Sequence, residues 1–414
     1  MLTMHPKMMH VYVGVDVHRQ THTAVILNCF FEKLGEITFQ NKPSAFPAVM
    51  KEVKKHLSNG ITPIFGLEDV GSYGRELAVF LIGKKEKVKY VNATLTYTER
   101  KNQNALHKTD AYDAECVAKV LLSKLDTLPD AQPNDLYWAL SEMVTKRHSL
   151  VKSCMALKNQ VHNYISHHYP SYKKFFAVFE CKTSLEFWEK YPSPSRLKGV
   201  SVEALTIFLK ENSHNMYTKK KAQEILGYIE KDGDTTVEYQ DMRDFIVITA
   251  IKQIKENQKI IKSIESEIQN ILPLFNCKLE TMPGISYVTA SAILAEIGDI
   301  NRFSSPAKLA KYAGIAPVQY SSGQSDNNFS NRRGNRNLNQ ILFFLAVSQC
   351  NDHGSKGGAV NPIFAEYYKK KISEGKTKKQ AIKCVMRRLV NIIYRMIKQN
   401  EEYKMPNIPN LTKE

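Results

Sequence analysis

At 414 residues with 43% hydrophobic side chains, the chain is globular in composition and too long for one ordinary core, so two or three domains are expected. Lys and Arg number 58 against 41 Asp and Glu, a net charge of +17, which points to a polyanionic partner and to nucleic acid first. No long cationic amphipathic helix with an aromatic face stands out, so a membrane-surface protein is disfavoured. The seven cysteines (29, 116, 154, 181, 277, 350 and 384) include no Cys-x-x-Cys pair, against structural zinc and against a disulfide framework. Met1 to His10 has no apolar signal core, and the longest clean apolar run, Ile341 to Val347, is far short of a membrane span. A cytoplasmic protein with reduced thiols is expected.

Val11 to Val17 alternates around Gly14 and reads as a strand ending near Asp16; Thr23 to Leu27 and Gly35 to Gln40 read as two more. Ser44 to His56 has helical spacing, with Phe46, Val49, Met50 and Val53 on one side. Pro63 to Val70 is a strand carrying Glu68, Arg75 to Ile82 a helix, and Val88 to Val91 a short strand. A helix starts at Thr109 or Asp110, either of which is a good N-cap. Three strands in series followed by alternating helix and strand describe a mixed sheet with helices on its faces.

Asp110 and Asp113, three residues apart on a helix, share a face. Two carboxylates there repel unless a cation lies between them, and hard oxygen ligands suit Mg²⁺ or Mn²⁺. Acids in the first turn of a capped surface helix are also favoured by the helix dipole alone. Asp16 and Glu68 change the weighting. If their strands pair, the helix can cross both and bring four carboxylates to one point, the apparatus that holds two metal ions about 4 Å apart for phosphodiester cleavage.

From Leu136 to Pro273 the pattern is helical and basic, with a short helix at Val202 to Leu209 and a basic turn at Lys219-Lys220-Lys221. Ile251, Ile254, Ile261, Ile264, Ile268 and Ile271 form a heptad-like seam, fitting a coiled coil or a helical hairpin. Pro283-Gly284-Ile285 before a small-residue helix (Val288 to Ile297), with Gly298 closing it, looks like a helix-hairpin-helix element that offers backbone N–H groups to a phosphate. An ordinary helical turn fits as well. Tyr312 to Pro317, Ser321-Ser322-Gly323 and Arg332-Arg333-Gly334-Asn335-Arg336 follow. A serine before glycine is usually just a loop, but three arginines within 14 residues can hold a phosphate beside its hydroxyl. No histidine lies near in sequence to act as base. Residues 332–404 hold 16 Lys or Arg against 5 Asp or Glu, a net +11, so most of the excess charge lies there.

These residues together resemble the insertion-sequence transposases that have an N-terminal RuvC-like DEDD domain and a C-terminal serine domain, relatives of the Piv-type DNA invertases, several of them guided by a bridge RNA. The resemblance rests on Gly14-Val15-Asp16-Val17, Glu68 and Lys108-Thr109-Asp110-x-x-Asp113-Ala114 in the first half. In the second it rests on Pro283-Gly284-Ile285, Gly314-Ile315-Ala316-Pro317, Ser322-Gly323 and Arg333-Gly334-Asn335-Arg336. It implies that Asp16, Glu68, Asp110 and Asp113 bind Mg²⁺ (or Mn²⁺) and that Ser322, or its neighbour Ser321, attacks the DNA backbone to form a phosphoserine. Lys108, Gly284, Arg332, Arg333 and Arg336 are the expected nucleic-acid contacts. The chain departs from the family where further arginines often follow the Arg-Gly-Asn-Arg run: Asn337 and Asn339 stand there.

The expected architecture is α/β plus α. An RNase H-like (RuvC-like) mixed-sheet domain occupies 1–135, a helical or coiled-coil region 136–275, and a mainly helical serine transposase domain with a helix-hairpin-helix-like element 276–414. The expected partners are DNA (element ends and target), a guide RNA and further copies of the chain in a dimer or tetramer, with no membrane. A metal-only junction nuclease on the same sheet has no use for Ser322 or the basic C-terminal third. A sugar-kinase or actin-like ATPase wants a second glycine-rich phosphate loop, which is missing. A DNA-binding protein without catalysis leaves four facing acids unexplained.

Overall fold

Val11, Tyr12, Val13 and Val15 are all buried, although alternate residues of a strand point to opposite faces; such a strand is covered on both sides. The computed structural model describes residues 5–102, 109–316, 318–322, 325–329, 334–351 and 359–405, with the backbone alone for 318–322 and 325–329. The chain begins β1 (His10–Val17), β2 (Thr21–Leu27), β3 (Lys33–Gln40), α1 (Pro47–Lys54), β4 (Thr62–Leu67), α2 (Arg75–Gly83), β5 (Lys87–Tyr90), α3 (Ala93–Asn102) and α4 (Asp110–Lys124). The sheet order is β3-β2-β1-β4-β5, antiparallel on the β2–β3 side and parallel between β1, β4 and β5. This is the mixed order of an RNase H-like sheet, as the sequence pattern indicates. One addition was not expected: α3 is a regular helix where no element was read.

The two faces of the sheet are sorted by residue parity. Val11, Val13 and Val15 of β1 pack with Val49 and Val53 of α1 and Leu77, Ala78 and Leu81 of α2. Tyr12, Val25 and Ile64 pack with Ala114, Val117, Ala118 and Leu121 of α4. By alternation Gly14 and Asp16 of β1, and Gly66 and then Glu68 at the end of β4, fall on the α4 face.

Next come α5 (Asp135–His168), α6 (Lys182–Lys190), α7 (Val202–Ser213), α8 (Lys219–Asp232) and α9 (Gln240–Ile271). Lys219-Lys220-Lys221 is therefore the first turn of a helix, not a turn between elements: Thr218 precedes it in extended conformation, and Ala222 and Ile225 are buried. The core here is aromatic, with Tyr169, Phe175, Phe187 and Trp188 packed against Leu205, Leu209, Ile225, Ile251 and Ile254. α5 and α9 run antiparallel, linked by Asn257 Nδ2 donating to Ser153 Oγ (3.3 Å) and by Arg147 paired with Glu265 at 2.6 Å. The isoleucine seam thus packs at least partly inside the chain, as a helical hairpin does.

The last third contains α10 (Tyr287–Ile297), α11 (Pro306–Tyr312), β6 (Val318–Ser322), β7 (Ser325–Phe329), α12 (Arg336–Cys350), α13 (Pro362–Ser373) and α14 (Lys378–Gln399). Helix α14 is capped by a reciprocal Thr377–Gln380 box and buries Ala381, Val385, Leu389, Ile393 and Met396 along one stripe. The chain divides into two compact units. One is Met1–Ala139 with Leu294–Glu401, and the other is Leu140–Ile293 with Glu402–Glu414. Among the described residues, no helix is long and apolar enough to cross a membrane.

Candidate active site

The site is built by two glycines. A Cβ added to Gly14 would lie 2.2 Å from the Ala118 nitrogen and 2.3 Å from the Ala114 oxygen, so α4 rests directly on the β1 backbone. A Cβ on Gly66 would come 3.0 Å from Val91 Cγ2 and 3.2 Å from Leu121 Cδ2, a close approach of the same helix to β4. Two residues beyond each glycine, on the same face, stand Asp16 and Glu68. The first turn of α4, capped by the Thr109 hydroxyl accepting from the Tyr112 N–H at 3.2 Å, supplies Asp110 and Asp113.

Asp16 is 7% exposed, and its Oδ2 has no hydrogen-bond partner. His18 Nε2 stands 2.9 Å from that oxygen, at ion-pair distance but out of hydrogen-bond alignment, and 3.5 Å from Asp110 Oδ1. Burial pushes the Asp16 carboxyl up to about 6; His18 opposes the rise, while Asp113, Glu68 and Asp110 add to it. The other three acids thus all act on the Asp16 carboxyl group. Asp16, His18 and Asp110 offer ligand atoms that all lie within 4.8 Å of one another.

The other two acids are held by α3. The Thr96 hydroxyl, on a residue 1% exposed, donates to Glu68 Oε1. Arg100 Nη1 lies 3.0 and 3.1 Å from the two oxygens of Asp113, itself 8% exposed. Thr96 and Arg100 are four residues apart and so lie on one side of α3. Neither was singled out from the sequence, and nor was His18; the signal for all three is spatial. Hard carboxylate oxygens, one of them buried without a donor, fit a divalent metal ion.

Glu68 also borders a cavity of about 450 Å³ whose lining includes Tyr90 and Asp130 from the first third and Glu296, Arg302 and Tyr312 from the last. The serine segment is a separate element. Ser322 is not in a loop but ends β6, its backbone opposite Ser325, with Ser321 opposite Asp326. Gly314, before this hairpin in the chain, and Gly334, after it, are in contact. Gly334, at φ +124°, packs so closely that a Cβ would fall 2.7 Å from the Gly314 nitrogen and the Tyr312 oxygen. The Asn335 N–H donates to Tyr312 O at 2.7 Å, and its side chain caps α12 through the Leu338 N–H. Glu296 accepts from Asn335 Nδ2 (2.7 Å) and Asn337 Nδ2 (2.9 Å), so Asn337 has a partner inside the protein.

Of the expected nucleic-acid contacts, Arg336 is exposed at the start of α12, and Lys108, Arg332 and Arg333 lie outside the described residues. Gly284, at φ +81°, is the third residue of the turn Met282-Pro283-Gly284-Ile285, closed by the Ile285 N–H to Met282 O at 3.0 Å. Pro then Gly at the turn centre is type II turn chemistry, and it leads into α10.

Two family models match in the order the two halves suggest. Residues 13–170 match the DEDD transposase model of IS110-type elements, and residues 277–369 match the model described as Transposase IS116/IS110/IS902 family. The uncharacterized protein of insertion element IS116 from Streptomyces clavuligerus is 22% identical over 94% of both chains. The pilin gene-inverting protein of Moraxella bovis is 26% identical over 96% of this chain and 98% of its own. The uncharacterized protein of insertion element IS900 from Mycobacterium paratuberculosis is 21% identical over 95% and 97%. With a DEDD nuclease sheet in its first half and a transposase domain in its last third, this chain belongs to the IS116/IS110/IS902 family of transposases, DNA-binding enzymes of DNA cleavage and transfer.

Proposed function

We propose that this transposase cuts and rejoins DNA at element ends and targets through a phosphoserine on Ser322, with Mg²⁺ or Mn²⁺ held by Asp16, Glu68, Asp110 and Asp113. The observation that carries the metal half is the buried, donor-less Asp16 oxygen among three further carboxylates. Bound there, a divalent ion neutralises charge on the transferring phosphoryl group. Thr96 and Arg100 hold Glu68 and Asp113 in place, and α4 keeps Asp110 at the mouth of the site.

In the covalent half, Ser322 Oγ attacks phosphorus and loses its proton to solvent. The P–O bond to one deoxyribose oxygen breaks, and that oxygen takes a proton. Rejoining reverses the step with a different deoxyribose hydroxyl, so the phosphoester keeps the bond energy. Arg336, with Arg332 and Arg333, steadies the phosphate, and Lys108 and the turn at Gly284 contact the backbone. The fixed base of the β6–β7 hairpin and the cavity shared by Glu68 and Arg302 support a joint site. A guide RNA supplies sequence choice, and further copies of the chain, in a dimer or tetramer, complete the assembly; the +11 charge of residues 332–404 favours binding of either nucleic acid.

The test incubates the protein, with any RNA that copurifies, with element-end DNA and Mg²⁺, then denatures it and looks for a protein–DNA adduct. An adduct removed by Ser322→Ala and retained by Ser321→Ala is the expected result. Cleaved DNA without an adduct would leave a metal-only nuclease.

A further inference from the structure

We infer that His18 is a ligand of the same ion as Asp16 and Asp110, and that its imidazole tunes this centre towards Mn²⁺ over Mg²⁺. This rests on reading the four acids as a metal centre. The three ligand atoms lie within 4.8 Å of one another. Ligands on one ion with bonds of roughly 2.1 Å are separated by about 3 Å when adjacent and about 4.2 Å when opposite, so one ion can span such a group. His18 Nε2 is 2.9 Å from Asp16 Oδ2 and 3.5 Å from Asp110 Oδ1, so the imidazole faces the two carboxylates that lie closest to it. The Asp16 oxygen is buried and has no hydrogen-bond donor, and His18 sits beside it without donating. An ion between them satisfies both groups.

The position of His18 suits the task. It follows β1 in the turn to β2, where its backbone N–H donates to Thr21 O at 3.1 Å, and its side chain is 51% exposed. The ring can therefore adjust to an ion, and replacing it empties no part of the core. Mg²⁺ keeps oxygen ligands and water; Mn²⁺ shares the preference for carboxylate but, as the first ion of the transition series, also accepts nitrogen. A mixed nitrogen and oxygen set gains more with Mn²⁺ than with Mg²⁺.

The experiment loads the full-length, metal-stripped protein with Mn²⁺ and records pulsed EPR for directly bound nitrogen. The expected spectrum shows a ¹⁴N coupling that converts to ¹⁵N on ¹⁵N-histidine labelling and disappears in His18→Gln. The same variant is expected to bind Mn²⁺ at least about ten-fold more weakly, since losing even a partner that orients a ligand costs that much, with the Mg²⁺ dissociation constant changed less than about two-fold. Bound Mn²⁺ with no histidine coupling in the wild-type protein would overturn the proposal and make His18 a counter-ion that the metal displaces. Failure of the wild-type protein to bind Mn²⁺ at all would overturn the metal-centre reading beneath it.

Discussion

Gly14 and Ala118 are in backbone contact: a single methyl on Gly14 would lie 2.2 Å from the Ala118 nitrogen. Helix α4 carries two of the four acids, so its seat on β1 sets where they stand. Gly14→Ala is expected to push α4 outward, lower stability by about 1–3 kcal/mol as overpacking does, and abolish Mg²⁺-dependent cleavage. Gly66→Ala meets side-chain atoms at 3.0 Å and beyond, so its loss of Tm should be smaller; thermal melts of the two variants check the order.

Asp16 makes stability depend on pH. Its folded carboxyl stands at about 6 against 3.8 unfolded, so between those values the native state binds more protons than the unfolded one. Stability from this group is therefore full below about pH 4 and is lost as pH rises through 6, on the order of 3 kcal/mol at most for the roughly two-unit difference. Denaturant unfolding in EDTA between pH 4 and 7 should show this slope, and Asp16→Asn should remove it. Mg²⁺ binding should release a proton near pH 6, measurable by calorimetry in buffers of different ionisation enthalpy.

Arg100 is the cation paired with Asp113, and Arg100→Ala leaves a carboxylate that is 8% exposed without it. Metal affinity should fall about 10–100-fold, the usual effect of removing a partner that orients a ligand. Arg100→Lys should recover only part of it, since one ammonium replaces a planar fork. Titration with Mn²⁺ reads both.

Gly334→Ala separates the two halves of the chemistry. It collides with Gly314 and forces a side chain into φ +124°, so the base of the serine hairpin shifts while the sheet does not. The covalent adduct should be lost and Mn²⁺ affinity should stay within about two-fold of wild type.

The basic C-terminal third should give DNA binding a steep salt dependence. Each phosphate neutralised contributes about −0.9 to the slope of log K against log salt. Changing Lys369, Lys370 and Lys371 together to Gln should make the slope shallower by up to roughly 2–3 if they touch phosphate. Lys371 pairs with Glu374, so its share should be the least.

The sheet was legible because its strands are central and apolar, and because each acid sits at a strand end or a helix start, where sequence signals are strongest. Helix α3 was not, for a physical reason: Thr96 is its only buried residue, so it has no apolar stripe. It serves instead to aim Thr96 and Arg100. The Lys219 helix was misread because three lysines open it and its apolar stripe starts only at Ala222. Val318 to Phe329 shows little alternation, being mostly Ser, Gln, Asn and Asp, so its sequence signals no strand although it pairs as a ladder. His18 escaped because its partners are set by the turn after β1, not by strand periodicity.

The meeting of Gly314 and Gly334 has a bearing on how this family can diversify. A stretch of chain that departs from and returns to one fixed point can change its length or sequence without transmitting strain to the body that carries it. The paired strands β6 and β7 (Val318–Ser322 and Ser325–Phe329) are such a stretch, so swapping the corresponding hairpin from a relative is expected to alter only what that hairpin contacts.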